Sequence, residues 1–144
     1  MKRLFPLLLC LCALCGCAGG AEDTAPPQTL FTQTVATEDS TWWPTPAAAV
    51  PADPDGGTYL QLRFRNDTDR MATAYLFRLA PGRSSPGSFQ VPDLRLQVEG
   101  GAEGSAVYHH RTAADGSYYL MAEATQEGGS LAGQIDLVQS GSAP

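Results

Sequence analysis

Beyond position 17 the chain has no cysteine, and beyond position 2 it has no lysine. The four Cys are Cys10, Cys12, Cys15 and Cys17. A domain built from the residues after them has no disulfide and must be held by apolar burial, which a chain of this size supports. After residue 16 there are 7 Arg against 15 Asp and Glu, a net charge of 7 − 15 = −8. The charges are scattered, which reads as a solubilising surface. This balance excludes the basic stripe that nucleic acid needs. It also excludes an electrostatic grip on anionic lipid. Long apolar runs are missing as well. The run Leu4 to Leu14 is 11 residues with Pro6 inside it, whereas a spanning helix takes roughly 20.

What the chain does have is a marked beginning. Lys2 and Arg3 precede the apolar run, which ends at Leu14-Cys15-Gly16-Cys17. A short apolar segment behind positive charges is a targeting signal. These residues resemble the signal peptide and lipobox of a bacterial lipoprotein, with Leu at −3, small residues at −2 and −1, and Cys at +1. Cys15 at −2 departs from the usual pattern, although its side chain is small. Cys10, Cys12 and Cys15 each follow a Leu, which a peptidase pocket for small side chains rejects.

The resemblance implies cleavage between Gly16 and Cys17, diacylglycerol on the Cys17 sulfur and an acyl chain on its new amino group. One chain holds a protein only marginally on a bilayer, and two make the attachment durable. Ala18 in place of Asp implies the outer membrane. The alternative is a plain secretory signal cleaved near Ala18 to Ala21.

Residues 1–16 are thus expected as signal peptide and 17–29 as lipidated Cys and tether. Residues 30–138 are expected as one domain and 139–144 as a frayed tail. The tether, AGGAEDTAPPQT after Cys17, is small, polar and Pro-containing, and cannot bury a core. Residues 44–57 form a second irregular stretch with four Pro and two Gly. Between these lie short segments with period-2 alternation, the mark of strands with one buried and one wet face. Leu60, Leu62 and Phe64 oppose Gln61, Arg63 and Arg65. Leu94, Leu96 and Val98 oppose Arg95, Gln97 and Glu99, and Leu131, Gly133, Ile135 and Leu137 behave likewise.

Residues 30–37, 106–112 and 118–125 complete about seven strands. The segment 67–82 carries Ala72, Leu76 and Leu79 at helical spacing. A strand is favoured there because Asn66-Asp67-Thr68-Asp69 suits a hairpin loop. An echo between Asp55-Gly56-Gly57-Thr58-Tyr59-Leu60 and Asp115-Gly116-Ser117-Tyr118-Tyr119-Leu120 reads as a common turn feeding a strand, with two related halves as the alternative. The expected class is all-β, an antiparallel β-sandwich that is immunoglobulin-like. A small β-barrel is the alternative.

No constellation of catalytic residues stands out. His109 and His110 are adjacent, so in a strand they face opposite ways and share no metal easily. Asp53-Pro54-Asp55-Gly56 and Asn66-Asp67-Thr68-Asp69 are oxygen-rich, yet neither continues as a calcium loop. No Ser sits in a Gly-x-Ser-x-Gly elbow. No cofactor or metal is expected, and the chain is not expected to be an enzyme. Trp42-Trp43-Pro44 offers two adjacent indoles for a partner, since Trp supplies large area at low entropy cost. The sequence therefore points to a non-catalytic binding or assembly domain, anchored to the membrane by lipid. Its partner would be a protein or an envelope polymer, with Trp42 and Trp43 as the contact. The alternatives are a carrier of a small apolar ligand, with a pocket beside Leu62, Phe64, Leu96 and Ile135, and an envelope hydrolase using His109 or His110.

Overall fold

A computed structural model describes residues 26–42, 47–50, 58–111, 115–126 and 128–141. Gly16, Cys17, the tether before residue 26 and Trp43 lie outside the described residues. The described elements are all strands: β1 (Gln28–Thr37), β2 (Thr41–Trp42), β3 (Ala48–Val50), β4 (Thr58–Asn66), β5 (Ala72–Arg78), β6 (Leu94–Val98), β7 (Glu103–His110), β8 (Gly116–Ala124) and β9 (Leu131–Ser140).

They form two antiparallel sheets. The first has the order β1-β9-β4-β7; the second has β2-β8-β5-β6, with β3 also on β8. Among the described residues no ladder joins the two sheets, so the sandwich reading holds over the barrel. The path departs from the immunoglobulin order. Apart from the β2–β3 and β5–β6 steps, the chain changes sheet at each connection, and β9 returns between β1 and β4. That is the jelly-roll path, two Greek keys wrapped face to face.

Nine strands replace the expected seven because Thr41–Trp42 and Ala48–Val50, where no strand was expected, add β2 and β3, which lie along one side of β8 as a single interrupted strand. Trp42 faces Ala122 and Ala48 faces Tyr118, six steps along one side against four along β8. Pro44 and Pro46 fall in this interval and have no amide hydrogen for a ladder. The segment 67–82 resolves in favour of strand: Ala72–Arg78 is β5. β1 starts two residues before the expected domain edge, and β9 runs two residues into the expected tail. Gln28 pairs with Gln139 there, so a ladder partner orders residues that composition marked as loose.

The core lies between the sheets. Leu60, Leu62, Phe64, Leu76, Leu120, Ile135 and Leu137 are fully buried in one cluster. Each inward residue alternates with an outward one, as the period of 2 demands. Gly133 is inward on β9 with φ of +151°, and a Cβ there would sit 1.8 Å from the Arg65 carbonyl oxygen. Only Gly allows β4 and β9 to approach this closely.

The strand directions define two poles. β4 ends, β5 begins and β8 ends at one pole, where Asn66 is a buried pin. Its Nδ2 donates to the carbonyls of Arg70 at 2.7 Å and Val98 at 3.1 Å. Its Oδ1 accepts from Thr68 N at 3.1 Å and Thr68 Oγ1 at 2.7 Å. The oxygen-rich turn therefore spends its Asn on the backbone and on linking the two sheets. The opposite pole carries the start of β1, the end of β9 and the connection 79–93 between β5 and β6.

Candidate functional site

The outer face of the β1-β9-β4-β7 sheet is an ordered array of polar and aromatic side chains with two valines among them. It comes from the residues that alternate with the core. On β4 these are Tyr59, Gln61, Arg63 and Arg65; on β7, His109, Val107, Ser105 and Glu103. On β9 they are Ser140, Val138, Asp136 and Gln134, and on β1, Thr32 and Thr34.

Register turns them into transverse rows. Ser140, Tyr59 and His109 form the row nearest the β1 start. Val138, Gln61 and Val107 come next. Thr32, Asp136, Arg63 and Ser105 make the third row, and Thr34, Gln134, Arg65 and Glu103 the fourth. From Tyr59 to Arg65 the face runs about 20 Å along the strands, and four strands give about 14 Å across.

Neighbouring side chains hold each other in place. The Tyr59 and His109 rings stack with centroids 4.4 Å apart and planes 14° from parallel. Arg111 Nε donates to His109 Nδ1 at 2.7 Å. An accepting Nδ1 assigns the ring hydrogen to Nε2 in the neutral imidazole. Arg63 forks onto the Gln61 Oε1, at 2.8 Å from Nε and 2.6 Å from Nη2. Gln134 Nε2 donates to both oxygens of Asp136, at 3.0 and 3.2 Å, and Thr32 Oγ1 also donates to Asp136.

Arg65 and Asp67 close a bidentate pair at 2.9 and 3.0 Å. The hydrogen bond and charge of Arg65 lower the Asp67 pKa, and Asp67 in turn raises that of Arg65. Both groups are exposed, so the pair fixes geometry more than it adds stability. The result is a half-exposed aromatic surface beside planar amide, carboxylate and guanidinium groups. That set suits a ligand with apolar ring faces and many hydroxyls.

No protein family matches the chain, and no curated protein matches it in sequence. Three solved structures resemble it at low identity. One is a pilus subunit of Bacillus endospore appendages, at TM-score 0.39 and 14% identity, covering 78% of this chain and 88% of that one. Another is the CBM36-1 domain of a multidomain xylanase from the hindgut metagenome of Trinervitermes trinervoides. It has TM-score 0.46 and 13% identity, covering 83% of this chain and 99% of that domain. The third is infectious bursal disease virus Gx strain, at TM-score 0.36 and 13% identity, covering 81% of this chain and 32% of that one.

The structure separates the residues singled out by sequence. Trp42 is half-buried and packs on the core, opposite the inward Ala122. Trp43 is outside the described residues, so the paired-indole surface is not among the contacts seen. His109 faces outward, whereas His110 is fully buried with its Nδ1 2.6 Å from the Tyr118 hydroxyl. Burial, with Tyr108 adding to it, pushes the Tyr118 phenol up. The pair of histidines is thus split between the face and the core, as their adjacency in a strand requires.

Leu62, Phe64, Leu96 and Ile135 close on one another in the core, at 8% exposure or less. The clefts lie at the poles instead: about 240 Å³ beside Asp69, Arg70 and Gln126, and about 520 Å³ beside Arg78, Gln90 and Ser117. Neither is lined by those four residues, so the expected apolar pocket is a packed interior. Among the described residues no three of His, Cys, Asp and Glu converge as a metal site.

Tyr59 and His109 were not paired from sequence. The outward set on β4 is readable from alternation, but its partner strand is not. Only the register of β4 on β7 shows that a Tyr and a His meet.

Proposed function

We propose that this chain is a lipid-anchored protein of the bacterial envelope whose sandwich binds an extended, hydroxyl-rich envelope polymer. Cys17 carries the lipid, and the outer face of the β1-β9-β4-β7 sheet is the contact. The domain holds its ligand and does no chemistry on it. The observation that carries this reading is the Tyr59–His109 stack, fixed by Arg111 and continued by the Gln61–Arg63 fork. The sides of the two rings left uncovered by their mutual stack offer apolar area to a sugar ring, and planar donors and acceptors beside them take hydroxyls. Prior fixing of these side chains lowers the entropy cost of binding. The anchoring part rests on Leu14-Cys15-Gly16-Cys17.

Two measurements test the proposal. Intact mass of the natural product should show diacylglycerol at an amino-terminal Cys17; an unmodified amino terminus ends the anchoring reading. Sedimentation with isolated envelope polysaccharide and peptidoglycan should show binding that Tyr59→Ala lowers at least about tenfold, the loss of one good contact of ~1.4 kcal/mol. Equal binding by a folded Tyr59→Ala variant removes this face from the interaction.

A further inference from the structure

The most exposed large apolar side chain among the described residues is Phe89, at 99% exposure, followed by Val91 at 80%. Both stand on the fifteen-residue connection 79–93 between β5 and β6. Connections of this length in a compact domain are uncommon, and are usually either functional or loose linkers.

Phe89 is not exposed through want of order around it. Gln90 Nε2 donates to the Arg78 carbonyl at 2.6 Å, and Gln90 N donates to the Gly87 carbonyl at 3.0 Å. Asp93 Oδ2 accepts from Arg78 N at 2.6 Å, and Asp93 N donates to the Leu76 carbonyl at 2.8 Å. The residues on either side of Val91 are thus tied to the end of β5. Pinned by Gln90, the ring of its neighbour Phe89 projects into solvent.

The pole on which this loop stands is decisive. β4 and β9 place the start of β1 at the same end of the sandwich as the end of β5. The chain therefore enters the domain at the same pole as Phe89 and Val91, across the width of the sandwich from them, since β1 packs over β2 and β3 while β6 packs over β7. Cys17 lies 28 − 17 = 11 residues before Gln28, a reach of at most about 40 Å fully extended. β4 alone is 9 residues, about 30 Å, so bringing the far pole to the bilayer would use up most of that reach, whereas the near pole needs none of it. The loop also has one Arg83 and one Asp93, no net charge, and otherwise Gln90, Ser, Pro, Gly and apolar residues. It escapes the charge penalty that the chain as a whole would meet at an anionic surface.

We propose that Phe89 and Val91 form a wedge that enters the headgroup–acyl boundary of the bilayer carrying the Cys17 lipid. The wedge is a second membrane contact. It fixes the sandwich upright on that pole and holds the polar sheet face along the membrane normal, open to a ligand. This inference rests on the anchoring reading above.

The test uses the lipidated protein with Ser88→Cys, labelled with a polarity-sensitive fluorophore, in vesicles containing nitroxide-bearing phosphatidylcholine. Cys17 is blocked by its thioether, so position 88 is the one reactive thiol. Asp69→Cys at the far pole is the reference. The expected result is blue-shifted, strongly quenched emission at 88 and none at 69. Adding Phe89→Ser and Val91→Ser should return the probe at 88 to the level of the reference while the protein still floats with the vesicles. Equal quenching at both poles, or quenching at 88 that survives the double substitution, overturns the wedge. A blue shift at 88 without nitroxide quenching means a protein contact and overturns it too. Protein that fails to float overturns the anchoring reading, and the wedge falls with it.

Discussion

The two outer faces of the sandwich are built by the same period of 2 and turn out opposite in character. The β1-β9-β4-β7 face shows Thr, Gln, Arg, Asp and Ser in rows, with one aromatic stack at its end. The other sheet places Tyr75 and Phe77 of β5 and Tyr119 and Met121 of β8 on its outer side. There Phe77, Leu79 and Tyr119 are 6% to 7% exposed and form a second apolar cluster with Ala47, Tyr75 and Met121. Arg95 lies over the Tyr75 ring at 5.9 Å, and the Tyr75 hydroxyl donates to Glu123 at 3.0 Å. One sheet is therefore apolar on both sides and the other on one side only. Area on the second sheet goes into stability, and area on the first stays available to a ligand.

The largest effect expected from this contrast is on the closed face. Phe77→Ala removes a buried ring from the second cluster and should cost about 3 kcal/mol, in the range for large-to-small substitutions in packed sites. Urea unfolding followed by fluorescence measures it. A cost below about 0.5 kcal/mol would mean that the second cluster is ordinary surface, and the asymmetry between the faces would vanish.

This contrast also explains what the sequence makes plain and what it hides. β4 is readable because Leu60, Leu62 and Phe64 are buried while Arg63 and Arg65 are wet. β5 is ambiguous because Ala72, Thr73, Ala74, Leu76 and Phe77 are all buried, which erases the alternation. Its helical spacing is an accident of two apolar faces. The Trp pair suggests a surface because large aromatics do both jobs; the pairing of Trp42 with Ala122 turns that one ring toward the core, while Trp43 lies outside the described residues. The jelly-roll order follows from which strands meet, and alternation carries no information on that. The same holds for the site. Each outward residue is legible on its own strand, but the rows exist only once four strands are in register.

A middle-sized effect tests the seam between the sheets. Tyr118 of β8 meets His110 of β7 across the interior, with ring centroids 5.6 Å apart. Its phenol is raised above the usual value of about 10 by burial first. A raised folded-state value contributes stability that is present below the unfolded-state value and lost as pH rises beyond it. The sandwich should therefore weaken from about pH 10 upward, by at most ~1.4 kcal/mol per pH unit for this one proton. Tyr118→Phe should flatten that slope. Tyr75 and Tyr119 are also raised, mainly by burial, so some slope remains. A Tyr118→Phe variant with the same alkaline slope as the parent would show that the seam is open to water.

The smallest effect belongs to the open face, and its smallness is the point. Thr34 and Arg63 are exposed on the outer side of the first sheet, and neither contributes to the core. Thr34→Ala and Arg63→Ala should each change unfolding free energy by no more than about 0.5 kcal/mol, as for surface substitutions away from special features. Arg63 forks onto Gln61, and exposed polar contacts of that kind return little against their own side-chain entropy. A face tuned for stability would instead lose measurably with every row. If Arg63→Ala costs 2 kcal/mol or so, its guanidinium is part of the scaffold, and the ordering of the rows reflects folding instead of readiness for a ligand. If the cost is near zero, side chains that add nothing to the fold are nevertheless held in fixed rows, and preorganisation of a contact is the reason left for their order.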